Sequence, residues 1–211
     1  MTAGGAPGSL GDLARADVLL VRHARPQLRA GVAAREWPMD PEAVTACHAL
    51  AAEVDRLLSG SGRRVTRLWS SPEPKAGSTA RALAEAWRID DVSLHDGLSE
   101  HRRGPLPIVD DVAWRESVAR LFERPEELVL GEETAVEARE RFTAAMQEVA
   151  ARSGGSGLTA VATHATVMTL LLAGPNGLQP LQLWSALRLP DALFVSSDGW
   201  RLLGRAWPDM P

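Results

Sequence analysis

Four places in the chain carry residue types that could do chemistry together: Arg22-His23, Lys75, Glu100 with His101, Arg102 and Arg103, and His164. A neutral imidazole can attack phosphorus, fixed cations can hold the equatorial phosphoryl oxygens, and a carboxylic acid can protonate a departing alkoxide. Together these residues suit phosphoryl transfer. Singly, each has a plainer reading. An Arg-His pair after a strand is also a solvated loop start, and Lys75 is also a surface lysine on a helix start. Glu100 among its basic neighbours is either a solvated charge cluster or an acid tuned for proton transfer. The constellation calls for no metal and no cofactor, since neither a carboxylate-rich cluster nor Cys and His ligands at metal spacing are present.

Position is what joins them. The apolar run Val18 to Val21, bounded by Asp17 and Arg22, predicts a strand buried on both faces, with Arg22 and His23 at its carboxyl end. In open parallel sheets ligands bind at that end. Ala24 to Met39 reads as loop. Asp40 as N-cap and Pro41 at the first helical position then open a helix that stops at Gly60, with an apolar face of Val44, Cys47, Ala51, Val54 and Leu58. Cys47 and its neighbour His48 are expected to have structural or solvent roles. A second short strand, Val65 to Ser70, breaks at Ser71-Pro72 into a helix reaching about Trp87, and Lys75 falls in that helix's first turn, where free N–H groups favour an anion.

Asp90 to Gly104 has no clear periodicity and reads as a short strand or extended loop carrying Glu100 to Arg103. Helices are predicted at about Val112 to Glu123 and Thr134 to Arg152. The second has a Thr134 to Glu137 capping box and a stripe of Ala138, Phe142, Ala145, Met146 and Val149, the mark of a packing element. A third strand, Leu158 to Thr163, ends at His164 and passes into an apolar helix closing at Gly174. The Asp198-Gly199 turn predicts an antiparallel hairpin at the sheet edge. The fold class is α/β, and strand ends carry His23, the Lys75 helix start and His164.

Composition bounds the rest. The 211 residues are enough for one domain with a substantial core, read as a single domain over 16–211 preceded by a Gly- and Ala-rich flexible tail over 1–15. A net charge of −4 argues against a general nucleic-acid binder and leaves room for a local basic pocket. The single cysteine forms no internal disulfide, and the opening MTAGGAPGSLGDLARA has neither a basic n-region nor an apolar h-region, so the cytoplasm is the expected location. No apolar run approaches the roughly 18 residues that span a bilayer, so no membrane partner is expected. Oligomeric state is not set by the sequence, and a homodimer is compatible with it.

At this point the motifs resemble those of the histidine phosphatase superfamily, also called phosphoglycerate mutase-like proteins, from about Asp17 to Ala206. LLVRHARP is similar to the family's Arg-His-Gly strand and loop, and SSPEPKAGSTARALAEAW to its Ser-Pro-x-x-Arg-Ala helix start. GLSEHRRG resembles the loop carrying the family's acid, GEETAVEARERF its Gly-Glu helix start, and VATHATVMTLLLAG its second-histidine motif. The resemblance implies a three-layer α/β/α sandwich with a mostly parallel sheet. It implies His23 as a nucleophile forming phosphohistidine, Glu100 as proton donor, and Arg22 and His164 in the phosphate pocket. Ala24 and Ala165 replace family glycines, and Lys75 replaces an arginine, exchanging a five-donor fork for a point charge. Arg29 or Arg25 could restore the missing donors, while His101, Arg102 and Arg103 are available to the rest of the substrate. The short form resembles phosphatases acting on a small phosphorylated substrate. A mutase-type phosphotransferase and a phosphate-binding member without turnover are the alternatives.

Overall fold

Val18, Leu19, Leu20 and Val21 are all completely buried, and the strand they form, β1 (Val18–Arg22), lies inside a six-stranded sheet. This computed structural model describes residues 10–104, 111–153 and 157–206. Its other strands are β2 (Val65–Ser70), β3 (Val92–Leu94), β4 (Leu158–Thr163), β5 (Asp191–Ser196) and β6 (Arg201–Ala206), in the order β3-β2-β4-β1-β5-β6. The neighbours from β3 to β1 run parallel, and β5 and β6 add antiparallel to one side as the hairpin expected at the edge.

Alternation along β1 explains the layers. Leu19 and Val21 join one core with residues of α2 (Val44–Leu58) and α3 (Pro74–Trp87). Val18 and Leu20 join a second core with α5 (Ala135–Ala151) and α6 (Ala165–Leu172). Successive side chains of a strand point to opposite faces, so an uninterrupted apolar run needs a helical layer on each. The result is an α/β/α sandwich. Each large aliphatic side chain buried this way contributes about 1.5–3 kcal/mol.

Local signals place the helix starts. Pro41–Ala43 form a 3-10 turn ahead of α2, and the Asp40 side chain accepts from the Glu42 N–H as N-cap. Thr134 and Glu137 form the full capping box of α5. The Cys47 thiol, buried on α2, is pushed up to about 12 by burial, which suits a packing role. Residues 1–9 of the expected tail lie outside the described residues; α1 (Leu10–Leu13) precedes β1, Leu13 is buried in the first core, and Arg63 Nη1 donates to the Ala14 carbonyl at 2.8 Å. Two further helices, α4 (Asp111–Glu123) and α7 (Pro180–Ala186), pack against each other. Among the described residues no helix is long and apolar enough to cross a membrane.

Candidate active site

Register brings the histidines together. Arg22 of β1 pairs with Thr163 of β4, so the next residue of each parallel strand is a histidine, and the His23 N–H donates to the Thr163 carbonyl at 2.9 Å. The two rings meet edge-on with centroids 5.1 Å apart. On the other side of β4, Ser70 pairs with Ala162, which sets Ser71 beside His164, with Oγ 2.9 Å from His164 Nε2.

The hydrogen bonding of His23 fixes which ring nitrogen carries the proton. Nδ1 lies 2.7 Å from the Ala24 carbonyl oxygen. A carbonyl can only accept, so Nδ1 carries the proton and Nε2 carries the lone pair. Burial, followed by the neighbouring His164 ring and the Lys75 ammonium, which disfavour a second positive charge beside them, holds the His23 pKa well below its ordinary value, and the ring is neutral at pH 7. His164 is likewise held neutral, first by burial and then by Lys75.

Arg22, His23, Lys75, Glu100 and Arg103 share one cavity of about 110 Å³. Arg22 Nη1 donates to the Leu187 carbonyl at 2.5 Å, while its Nε is buried with no partner among the described residues, as is His164 Nδ1. A buried donor without an acceptor costs about 1–3 kcal/mol. An anion beside these groups would relieve that cost. Lys75 is only 3 % exposed; its Nζ pairs with a Glu73 carboxylate oxygen and donates to the Ala34 carbonyl at 2.9 Å. Burial lowers the Lys75 pKa and Glu73 opposes the shift.

Glu100 is anchored on both oxygens. Oε1 accepts from the N–H groups of His101 (2.9 Å) and Val167 (3.2 Å), and Oε2 from Thr166 (3.2 Å) in the first turn of α6. Burial raises its pKa, but the Arg103 cation and the His101 N–H favour the charged form, and the carboxylate lies below its ordinary range. Its loop is gripped from two sides. Glu73 Oε1 accepts the Glu100 N–H at 2.8 Å, and Arg141 of α5 donates to the carbonyls of Gly97, Ser99 and Glu100 while forking onto Glu133.

Other expected site residues lie elsewhere. Arg25 points to Asp40 and Glu42 on the helix start and is exposed, and exposed Arg29 bonds Gln27; neither is among the residues that line the cavity. Arg103 supplies a further cation instead, because its loop passes the cavity mouth; its guanidinium lies 4.4 Å from the centroid of Trp114. His101 and Arg102 border a separate cavity of about 450 Å³ that shares Glu100 and Arg103 with the first. His101 Nε2 lies 2.8 Å from the Glu133 carbonyl oxygen, which ties that ring to the scaffold. Glu73, Ser71 and Arg141 were not among the expected site residues; the only local signal for Glu73 is an acid two positions before Lys75.

Comparisons with known proteins agree with this fold. A family model described as histidine phosphatase superfamily (branch 1) matches residues 18–196. No curated protein sequence matches the chain. Among solved structures, a mycobacterial glucosyl-3-phosphoglycerate phosphatase in complex with inorganic phosphate superposes with a TM-score of 0.63 at 17% identity, covering 90% of this chain and 96% of that one. A phosphoserine phosphatase mutant from Entamoeba histolytica in complex with phosphoserine gives 0.64 at 12% identity, covering 91% and 97%. A phosphoglycerate mutase from Bacillus anthracis gives 0.64 at 14% identity, covering 93% and 95%.

Proposed function

The chain belongs to branch 1 of the histidine phosphatase superfamily, and on that footing we propose that it is a phosphomonoesterase working through a phosphohistidine on His23. One observation carries the reading: a neutral His23 whose Nδ1 proton is spent on the Ala24 carbonyl, leaving the Nε2 lone pair beside a cavity lined by Arg22, Lys75 and Arg103.

In the first step Nε2 attacks phosphorus, the bond from phosphorus to the ester oxygen breaks, and its electron pair leaves on that oxygen. Glu100 supplies the proton that makes it an alcohol. Free Glu100 is held ionised, but a phosphate dianion arriving beside it is a like charge and raises its proton affinity, so substrate and proton enter together. In the second step water attacks the phosphohistidine, Glu100 takes the water's proton, and the electron pair of the breaking N–P bond returns to Nε2. The products are an alcohol and inorganic phosphate. Arg22, Lys75 and Arg103 stabilise the equatorial oxygens in both steps, with no metal required for charge balance.

Phosphate release from a panel of sugar, amino-acid and aryl phosphomonoesters tests the reading. Turnover of at least one ester, lost in His23→Ala, supports it. Phosphate binding without turnover of any ester favours the phosphate-binding alternative, and transfer to phosphoglycerate in place of release favours the mutase.

A further inference from the structure

The cavity has two chemically different parts. Around the charged residues stand Pro26, Trp37, Trp114, Trp184 and Leu189, which line the same space and carry no charge. Three of the chain's seven tryptophans meet here, in a protein with no tyrosine. They come from separate elements: Trp37 from the loop after β1, Trp114 from α4 and Trp184 from α7. The Trp37 indole N–H already donates to the Arg29 and Val32 carbonyls at 3.2 and 3.0 Å, so what that side chain has left to offer is ring surface. Trp114 and Trp184 continue outward into a groove with Val112, Ala119 and Leu181, whose charged lining residues are Arg115 and Glu116.

The charged residues take the phosphoryl group, and from them the indole-lined side of the same cavity leads to the groove, which offers the rest of the ester ring surface. A polyhydroxylated or zwitterionic leaving group would give up water there without matching hydrogen bonds, which is costly. A flat ring gives up little and gains stacking. We propose that the substrate is a phosphomonoester of an aromatic alcohol, its ring packed on Trp114 and Trp184 while its phosphoryl group lies on Arg22, His23 and Lys75. The inference rests on the phosphatase reading of the same cavity, and its test is chosen to be independent of turnover.

Dissociation constants of the full chain for ethylphosphonate, benzylphosphonate and naphthylmethylphosphonate, none of which can be hydrolysed, measure the contribution of the ring directly. Affinity should rise in that order, with the naphthyl compound about tenfold tighter than the ethyl one, as aromatic pairing implies. Trp114→Ala and Trp184→Ala should each remove most of that advantage, costing the naphthyl compound more affinity than ethylphosphonate. Trp114→Phe and Trp184→Phe, which retain a ring and are less disruptive to the fold, should keep most of it. Equal affinities for the ethyl and naphthyl compounds in the wild type would overturn the inference and leave the phosphatase reading standing. A ring preference in a protein that hydrolyses no ester would overturn the phosphatase reading and leave an aromatic phosphate ligand. Binding of none of the phosphonates would overturn both.

Discussion

Removing Lys75 would take a cation from the cavity and leave Glu73 buried without its partner. Breaking a buried ion pair from one side costs about 3–5 kcal/mol, whereas replacing both members is often neutral. Lys75→Ala should therefore lower Tm by about 6–20 °C in a chain of this length. Lys75→Met combined with Glu73→Gln should regain most of that stability and none of the lost phosphate affinity, and a double variant that binds phosphate like wild type would make Lys75 purely structural. For Glu100 the discriminating variable is the leaving group. Glu100→Gln should slow single-turnover cleavage of alkyl phosphates by about a hundredfold or more, and nitrophenyl phosphate much less, because nitrophenolate departs without a proton. Equal losses would leave Glu100 as a positioning residue. Arg22, His23, Lys75, Glu100 and His164 were legible because each follows a strand end or matches a motif. Arg141 was not, because its partners at Gly97 to Glu100 are backbone carbonyls more than forty positions away, a pairing that no local pattern encodes.

Elements that look like simple packing also hold the site. α5 offers its apolar stripe to the second core, as its spacing predicted, and beside that stripe Arg141 makes five hydrogen bonds to Glu133 and the Glu100 loop. Only a planar fork reaches these partners together. Arg141→Lys should consequently behave almost like Arg141→Ala, with a lower unfolding midpoint and a fall in kcat, while Thr134→Ala on the same helix costs only about 1 kcal/mol and leaves kcat unchanged. Full activity in Arg141→Lys would show that the loop is held by Glu73 alone. Strands and long helices were readable from periodicity. The seven-residue α7 was not, since none of its residues is fully buried and no apolar period marks it, yet it brings Trp184 to the cavity.

Across the whole molecule, the neutral buried histidines link the site to acid stability. His23, His164 and His101 have folded-state pKa values below the unfolded value of about 6.5, so as pH falls through that value the unfolded chain takes up protons first. Stability is then fully present above about pH 6.5 and declines below it, by up to about 1.4 kcal/mol per pH unit for each histidine. Glu100 and Glu133, whose pKa values are lowered, add a further loss only below about pH 4.3. The urea midpoint should drop between pH 7 and 5, less steeply in His164→Asn, and a flat midpoint over that range would contradict the burial of neutral imidazoles. Because His23 stays neutral in the folded state, activity should outlast the ordinary histidine titration and disappear with the fold. The covalent intermediate at His23 is the step on which phosphatase chemistry here depends. Rapid acid-free quenching of the enzyme with the phosphorus-labelled ester that it turns over fastest should trap an acid-labile label on the peptide containing His23, formed and lost at rates compatible with turnover and absent in His23→Ala. Turnover at the wild-type rate with no label on His23 would contradict it.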